Sequence, residues 1–159
     1  VWISVKALPA AVLADESRYC LFAASTARNE LFAKEEHMKI AILMCCCSGV
    51  CPSMDKINFF ELTERLRLEV PHDFMLLHPR LCEENGEALM RDLLKPDTIY
   101  ITPACNEKHQ MKLLAAGFQK AGVPMDEKHW IPVTLAQKDT EQAFADIKEA
   151  VEKAKGMAS

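Results

Sequence analysis

Lys39-Ile40-Ala41-Ile42-Leu43-Met44-Cys45-Cys46-Cys47-Ser48-Gly49-Val50-Cys51-Pro52 is the stretch on which the reading of the whole chain turns. Its first six residues form a short apolar run, which predicts a buried strand over 39–44. Four cysteines, a Gly and a Pro then replace the run, and that is loop chemistry rather than strand chemistry. A thiol-rich loop therefore hangs from the carboxyl end of a strand.

Outward from this stretch the chain alternates. A helix is expected over about 54–68, capped by Ser53 or Asp55, with Ile57, Phe60, Leu62 and Leu66 as its apolar face. Pro71-His72-Asp73 breaks the chain before a second strand at 74–77, and His78-Pro79-Arg80-Leu81-Cys82 makes the next loop. A helix at 84–94, a turn at Lys95-Pro96-Asp97 and a third strand at 98–102 follow, closed by Pro103-Ala104-Cys105. A helix over 107–121 ends at Gly122 as its C-cap. A fourth strand at 130–134 leads to an amphipathic helix at 141–155, capped by Asp139 or Thr140. Ala143, Phe144, Ile147, Ala150, Val151 and Ala154 form its buried face. Short apolar strands alternating with longer helices predict an α/β domain with a single open, mostly parallel four-stranded sheet and helices on both faces. In such sheets ligands bind outside the carboxyl ends of the strands. Cys45 to Cys51, Cys82 and Cys105 all fall there, so thiols distant in sequence are expected to converge.

With 159 residues the chain has the length of one domain. A net charge of −4 argues against nucleic acid or an anionic membrane as partner, and no apolar run approaches the roughly 18 residues needed to cross a bilayer. Seven cysteines, an odd number with three of them adjacent, do not make a disulfide framework. The expectation is a cytoplasmic protein whose clustered thiols bind metal or do redox work, while Cys20 reads as a small core hydrophobe.

Residues 1–37 read differently from 38–159. They show no sustained period except over 19–34, and Asp15, Glu16 and Arg18 interrupt any signal-peptide core. Lys34-Glu35-Glu36-His37-Met38 back-translates as a purine-rich ribosome-binding sequence at start-codon spacing. Met38 is therefore expected to be the native start, with 1–37 an extension or translated leader and 38–159 the working domain.

Four thiolates converging from loops suit a tetrahedral zinc or an iron–sulfur cluster. Cys45 and Cys47 offer a C-x-C pair, with Cys46 or Cys51 as substitutes, and Cys82 and Cys105 complete the set. Cys82 and Cys105 each precede a predicted helix, whose partial positive charge lowers a thiol pKa. His78 and His109, each four residues from a loop cysteine, leave mixed Cys/His zinc ligation open. A phosphatase loop would need an Arg six residues after its nucleophile, but Cys51, Pro52 and Ser53 occupy those positions. A phosphocarrier loop fits the first cysteine segment but leaves Cys82 and Cys105 unexplained. A dithiol pair would have to use Cys47 and Cys51, which are spaced C-x3-C rather than C-x-x-C. Met44, Met75, Met90 and Met111 read as core fillers, and Phe59, Phe60 and Trp130 as packing against the sheet or a partner.

Ile40-Ala41-Ile42-Leu43-Met44-Cys45-Cys46-Cys47-Ser48-Gly49 resembles the opening of the amino-terminal iron–sulfur domain of the flavin-bearing heterodisulfide reductase chain, a strand running into a C-x-C-G-like loop. Leu81-Cys82-Glu83-Glu84-Asn85-Gly86-Glu87-Ala88-Leu89 resembles its second cysteine segment, and Thr102-Pro103-Ala104-Cys105 its third. The delta subunit of methyl-viologen-reducing hydrogenases is a more distant likeness, with a double Cys in its first loop. The resemblance implies one [4Fe–4S] cluster on Cys45, Cys47, Cys82 and Cys105, with a [2Fe–2S] cluster or zinc as the alternatives. It also implies electron exchange with a flavoprotein, a ferredoxin, or a hydrogenase or heterodisulfide reductase subunit. The extra thiols Cys46 and Cys51 depart from the family pattern. So does Asn106-Glu107-Lys108, where the family has a Ser-Pro-Arg-like continuation. Asp55, Glu83 and Glu84 near the loops would lower a cluster's potential, and Lys56, Arg80 and Lys108 would oppose that.

Overall fold

The computed structural model describes residues 37–158. The expectations for Cys20, for the 19–34 period and for a leader lie outside the described residues. Within them the order is β1 (Lys39–Cys45), α1 (Phe59–Glu69), β2 (Phe74–His78), α2 (Glu84–Leu93), β3 (Thr98–Ala104), α3 (Glu107–Ala121), β4 (Trp130–Thr134) and α4 (Thr140–Ala158). All strand pairs are parallel, in the order β2-β1-β3-β4. The fold is thus an open α/β sheet of four parallel strands. Among the described residues no helix is long and apolar enough to cross a membrane.

β1 shows why the sheet is covered on both sides. Ile40, Ile42 and Met44 pack into one core with Leu62 and Leu66 of α1 and with Ala143, Phe144, Ile147, Ala150, Val151 and Ala154 of α4. Ala41, Leu43 and Cys45 pack into the opposite core with Met90 of α2 and Leu114 and Phe118 of α3. Alternate residues of a strand face opposite ways, so an uninterrupted apolar run must be buried twice. Each large aliphatic side chain removed from water in this way contributes about 1.5–3 kcal/mol. The chain steps from β1 to β2 in one direction and from β2 to β3 and β4 in the other. Right-handed crossovers then put α1 on one face and α2 and α3 on the other.

Three boundaries differ from expectation by more than one residue. α1 starts at Phe59, not at 54, because Asn58 is its cap: the Asn58 side chain accepts from the Glu61 N–H at 3.3 Å. Ile57 before the cap and Leu62 after it share one core cluster, a hydrophobic staple that fixes where the helix begins. Pro52–Met54 is instead a 3₁₀ turn. β3 runs on through Pro103 to Ala104, because its ladder with β1 ends at Ile42 and Ile101 while its ladder with β4 continues. At Pro103 the missing N–H therefore faces no strand bond. α4 extends three residues past its expected end, to Ala158.

Two side chains also depart. Phe60, expected on the buried face of α1, is 86% exposed, because at about 100° per residue it stands on the side opposite buried Leu62. Met111, expected in the core, is exposed on α3. Met44 and Met90 are buried, and Trp130 is buried with its indole N–H donating to Thr102 Oγ1 at 2.7 Å.

Candidate functional site

The place where β1 and β3 part is also where strand order reverses, since β1 leads to one side of the sheet and β3 to the other. A pocket opens there. Cys45, Cys47, Cys82 and Cys105 all line it, with Met54, Leu81, Ala104, Leu113, Leu114 and Gln110 as the other walls. Three loops, after β1, β2 and β3, thus bring four thiols to one apolar hollow. All six cysteines of the described residues are free.

The first loop is held in an unusual shape. Cys47 and Ser48 adopt φ of 50° and 55°, followed by Gly49 at 70°. A left-handed conformation costs a non-glycine residue about 1–3 kcal/mol and persists only where surroundings enforce it. Here the β2 loop enforces it. The N–H of Cys46 donates to His78 O at 3.1 Å and the N–H of Ser48 to Pro79 O at 2.9 Å, extending the β1–β2 ladder past the strands. The Cys45 and Cys46 thiols lean on the carbonyls of Pro79 and His78, both at 3.7 Å. Cys46 is not part of the pocket wall. Cys51 is also outside it and shares a 3.0 Å hydrogen bond with Ser53 Oγ.

The second loop is pressed onto α2. A Cβ at Gly86 would meet the backbone of Leu81 and Arg80, so the segment before Cys82 lies directly on the first turn of the helix. The third loop is fixed by a buried polar network. Gln110 Nε2 donates to Cys105 O at 2.8 Å and to Val133 O at 3.0 Å, while Gln110 Oε1 accepts from Thr102 at 2.8 Å. Gln110 stands in line with Leu114 and Phe118, the buried positions one and two turns further along α3. A glutamine on an apolar stripe was the available sign of this clamp.

Burial pushes the Cys45 and Cys105 thiols up, and so does their closeness to the other thiols: Cys82 and Cys46 act on Cys45, and Cys45, Cys82 and Cys47 on Cys105. Cys47 is raised by burial and by Cys51 and Cys45, with Arg80 opposing. At Cys105 the lowering expected from the helix end is thus outweighed, since the thiol is desolvated and shares the hollow with the others. Cys51 is lowered by the hydrogen bonds from Ser53.

Neither histidine joins the wall. His78 Nδ1 accepts from the Arg80 N–H at 3.1 Å, and His109 Nδ1 lies 3.0 Å from Asn106 Nδ2. Among the described residues no three His, Cys, Asp or Glu side chains are grouped to hold a single metal ion. A tetrahedral zinc with Zn–S bonds of about 2.3 Å needs sulfurs roughly 3.8 Å apart. A four-iron cluster takes its thiolates at the outer corners of a larger body. The donor set, four thiols with no carboxylate or imidazole among them, is the chemistry that suits such a cluster.

One charged group stands beside these thiols. Arg80 donates through Nη1 to Glu83, and its charge acts on Cys47 and Cys82. Its Nε is covered and has no hydrogen-bond partner, which no other buried side-chain nitrogen or oxygen among the described residues lacks.

No family model matches the chain, and no curated protein matches it in sequence.

Proposed function

We propose that this domain carries one [4Fe–4S] cluster on Cys45, Cys47, Cys82 and Cys105 and serves as an electron-transfer subunit of a cytoplasmic oxidoreductase system. The observation that carries the reading is that four thiols from three strand-end loops line one pocket at the point where strand order reverses. When bound, the cluster supplies one-electron chemistry, and the protein's part is to hold and tune it. Cys45 and Cys47 would bind it from a loop locked to the β2 loop, and Cys82 and Cys105 from the loops that lead into α2 and α3. Met54, Leu81 and Leu114 exclude water from the inner side. Cys82 is exposed, and the apolar Leu113 and Val50 nearby are 48% and 65% exposed. A redox protein docking on this rim would meet the outer edge of the site. The partner would be a flavoprotein, a ferredoxin, or a hydrogenase or heterodisulfide reductase subunit.

Anaerobic purification followed by iron and sulfide counting tests this reading. A brown protein with about four irons per chain is expected, and Cys82→Ser and Cys105→Ser should each lose most of that iron. If both variants keep full iron content, the ligand assignment is wrong; if the protein is colourless and holds zinc, the cluster reading fails.

A further inference from the structure

The covered Nε of Arg80, in the loop that carries the wall residues Leu81 and Cys82, is a second observation beside this site that asks for a ligand. A buried N–H without an acceptor is rare in folded proteins, because it has given up water and received nothing in return. Nη1 is taken by Glu83, and the outer part of the guanidinium remains in solvent. Nε instead is enclosed, on a side chain whose charge reaches both Cys47 and Cys82. Those two thiols belong to different loops, and Arg80, itself outside the pocket wall, adjoins the wall residue Leu81 and precedes Cys82 by two positions. Leu81 and Arg80 are themselves pinned by Gly86, which limits how far the side chain can move away.

We propose that Arg80 is the tuning residue of this site: its Nε–H donates to sulfur of the cluster–thiolate assembly, and its charge raises the reduction potential. The inference rests on the cluster reading above. Reduction adds one electron, and the more negative state gains more from a nearby cation and from an N–H···S bond than the oxidised state does. Glu83 works the other way, by drawing the guanidinium toward itself and cancelling part of its charge. The pair therefore sets the potential by a balance of two residues in one loop. Nothing else in the loop has that geometry, since Lys56 and Lys108 are exposed residues of other segments.

The test is a mediated redox titration of the anaerobically purified chain, with dithionite as reductant and iron and sulfide counted in every sample. Arg80→Gln should load normally and titrate at a lower potential than the wild type. Arg80→Lys keeps the charge but loses the Nε–H, and should fall between the two. Glu83→Gln, which frees the guanidinium, should titrate higher. A loaded Arg80→Gln or Glu83→Gln protein with the wild-type potential overturns the tuning role and leaves the cluster reading standing. Wild-type protein without iron and sulfide overturns both. Should Arg80→Gln fail to load, the Glu83→Gln shift decides alone.

Discussion

Gly86 lies so close to Leu81 that a Cβ at position 86 would come 2.5 Å from the Leu81 Cα and 2.5 Å from its carbonyl oxygen. Backbone meets backbone at this contact, so no side-chain rotation relieves it. Gly86→Ala must push the Arg80–Leu81 segment off α2 and carry Cys82 with it. A destabilisation of about 1–3 kcal/mol is expected from overpacking, read as a lower urea midpoint, together with reduced iron content.

Cys46 and Cys51 are not part of the pocket wall: Cys46 leans on His78 O, while Cys51 bonds with Ser53 Oγ and lies beside the wall thiol Cys47. Cys46→Ser and Cys51→Ser should therefore retain iron at the wild-type level, in contrast to substitutions at the four wall positions. Iron counting on the anaerobic proteins checks this, and loss of iron from either variant would bring that thiol into the ligand set.

Gln110 satisfies the carbonyls of Cys105 and Val133 and the hydroxyl of Thr102 at once. Gln110→Leu fits the apolar stripe of α3 in size but strips one hydrogen bond from each of those groups, the Thr102 oxygen keeping the Trp130 indole N–H. Each such bond lost costs about 0.5–1.5 kcal/mol. A clear drop in urea midpoint is expected, larger than for Gln119→Leu on the exposed side of the same helix.

Asp126 anchors the turn before β4. Its Oδ1 accepts from the backbone N–H groups of Lys128 and His129, both at 3.1 Å, and lies 2.7 Å from His129 Nδ1. The hydrogen bond with the His129 side chain is the main reason the Asp126 carboxyl is held below its ordinary value of 3.8. The folded chain thus gives up this proton at lower pH than the unfolded chain. The resulting stability is in place above 3.8 and disappears as pH falls through the lower folded-state value. Asp126→Asn should be less stable than wild type at neutral pH, and the difference in denaturant midpoint should narrow as the solution is acidified below 3.8.

β1, β2 and β3 were readable because each is an apolar run cut off by Cys or Pro, β4 because it is a short apolar stretch between two helical ones, and the doubly wound sheet follows from their alternation with helices. The start of α1 was also written in the sequence. Asn58-Phe59-Phe60-Glu61 after Ile57 is a cap with its staple, but Ser53 and Asp55 offered competing caps and only the burial of Ile57 and Leu62 together decides between them. The convergence of Cys45, Cys47, Cys82 and Cys105 followed from topology, since strand carboxyl ends share one side of a parallel sheet. The left-handed backbone at Cys47 and Ser48 did not, because it arises from pairing with Pro79, a contact between segments far apart in the chain. Nor did the enclosure of Arg80 Nε, which depends on how neighbouring loops close over one atom.

On the cluster reading proposed above, the distribution of the four sulfurs over the loops after β1, β2 and β3 constrains the birth of the protein. A ribosome that has released β1 and its loop has delivered only half of the donors, and the last one arrives with the end of β3. A nascent chain that stops before Cys105 would lack a ligand, so maturation would wait until β3 is out. By the same logic, heat or denaturant that parts β1 from β3 would bleach a loaded protein in the same transition that unfolds it.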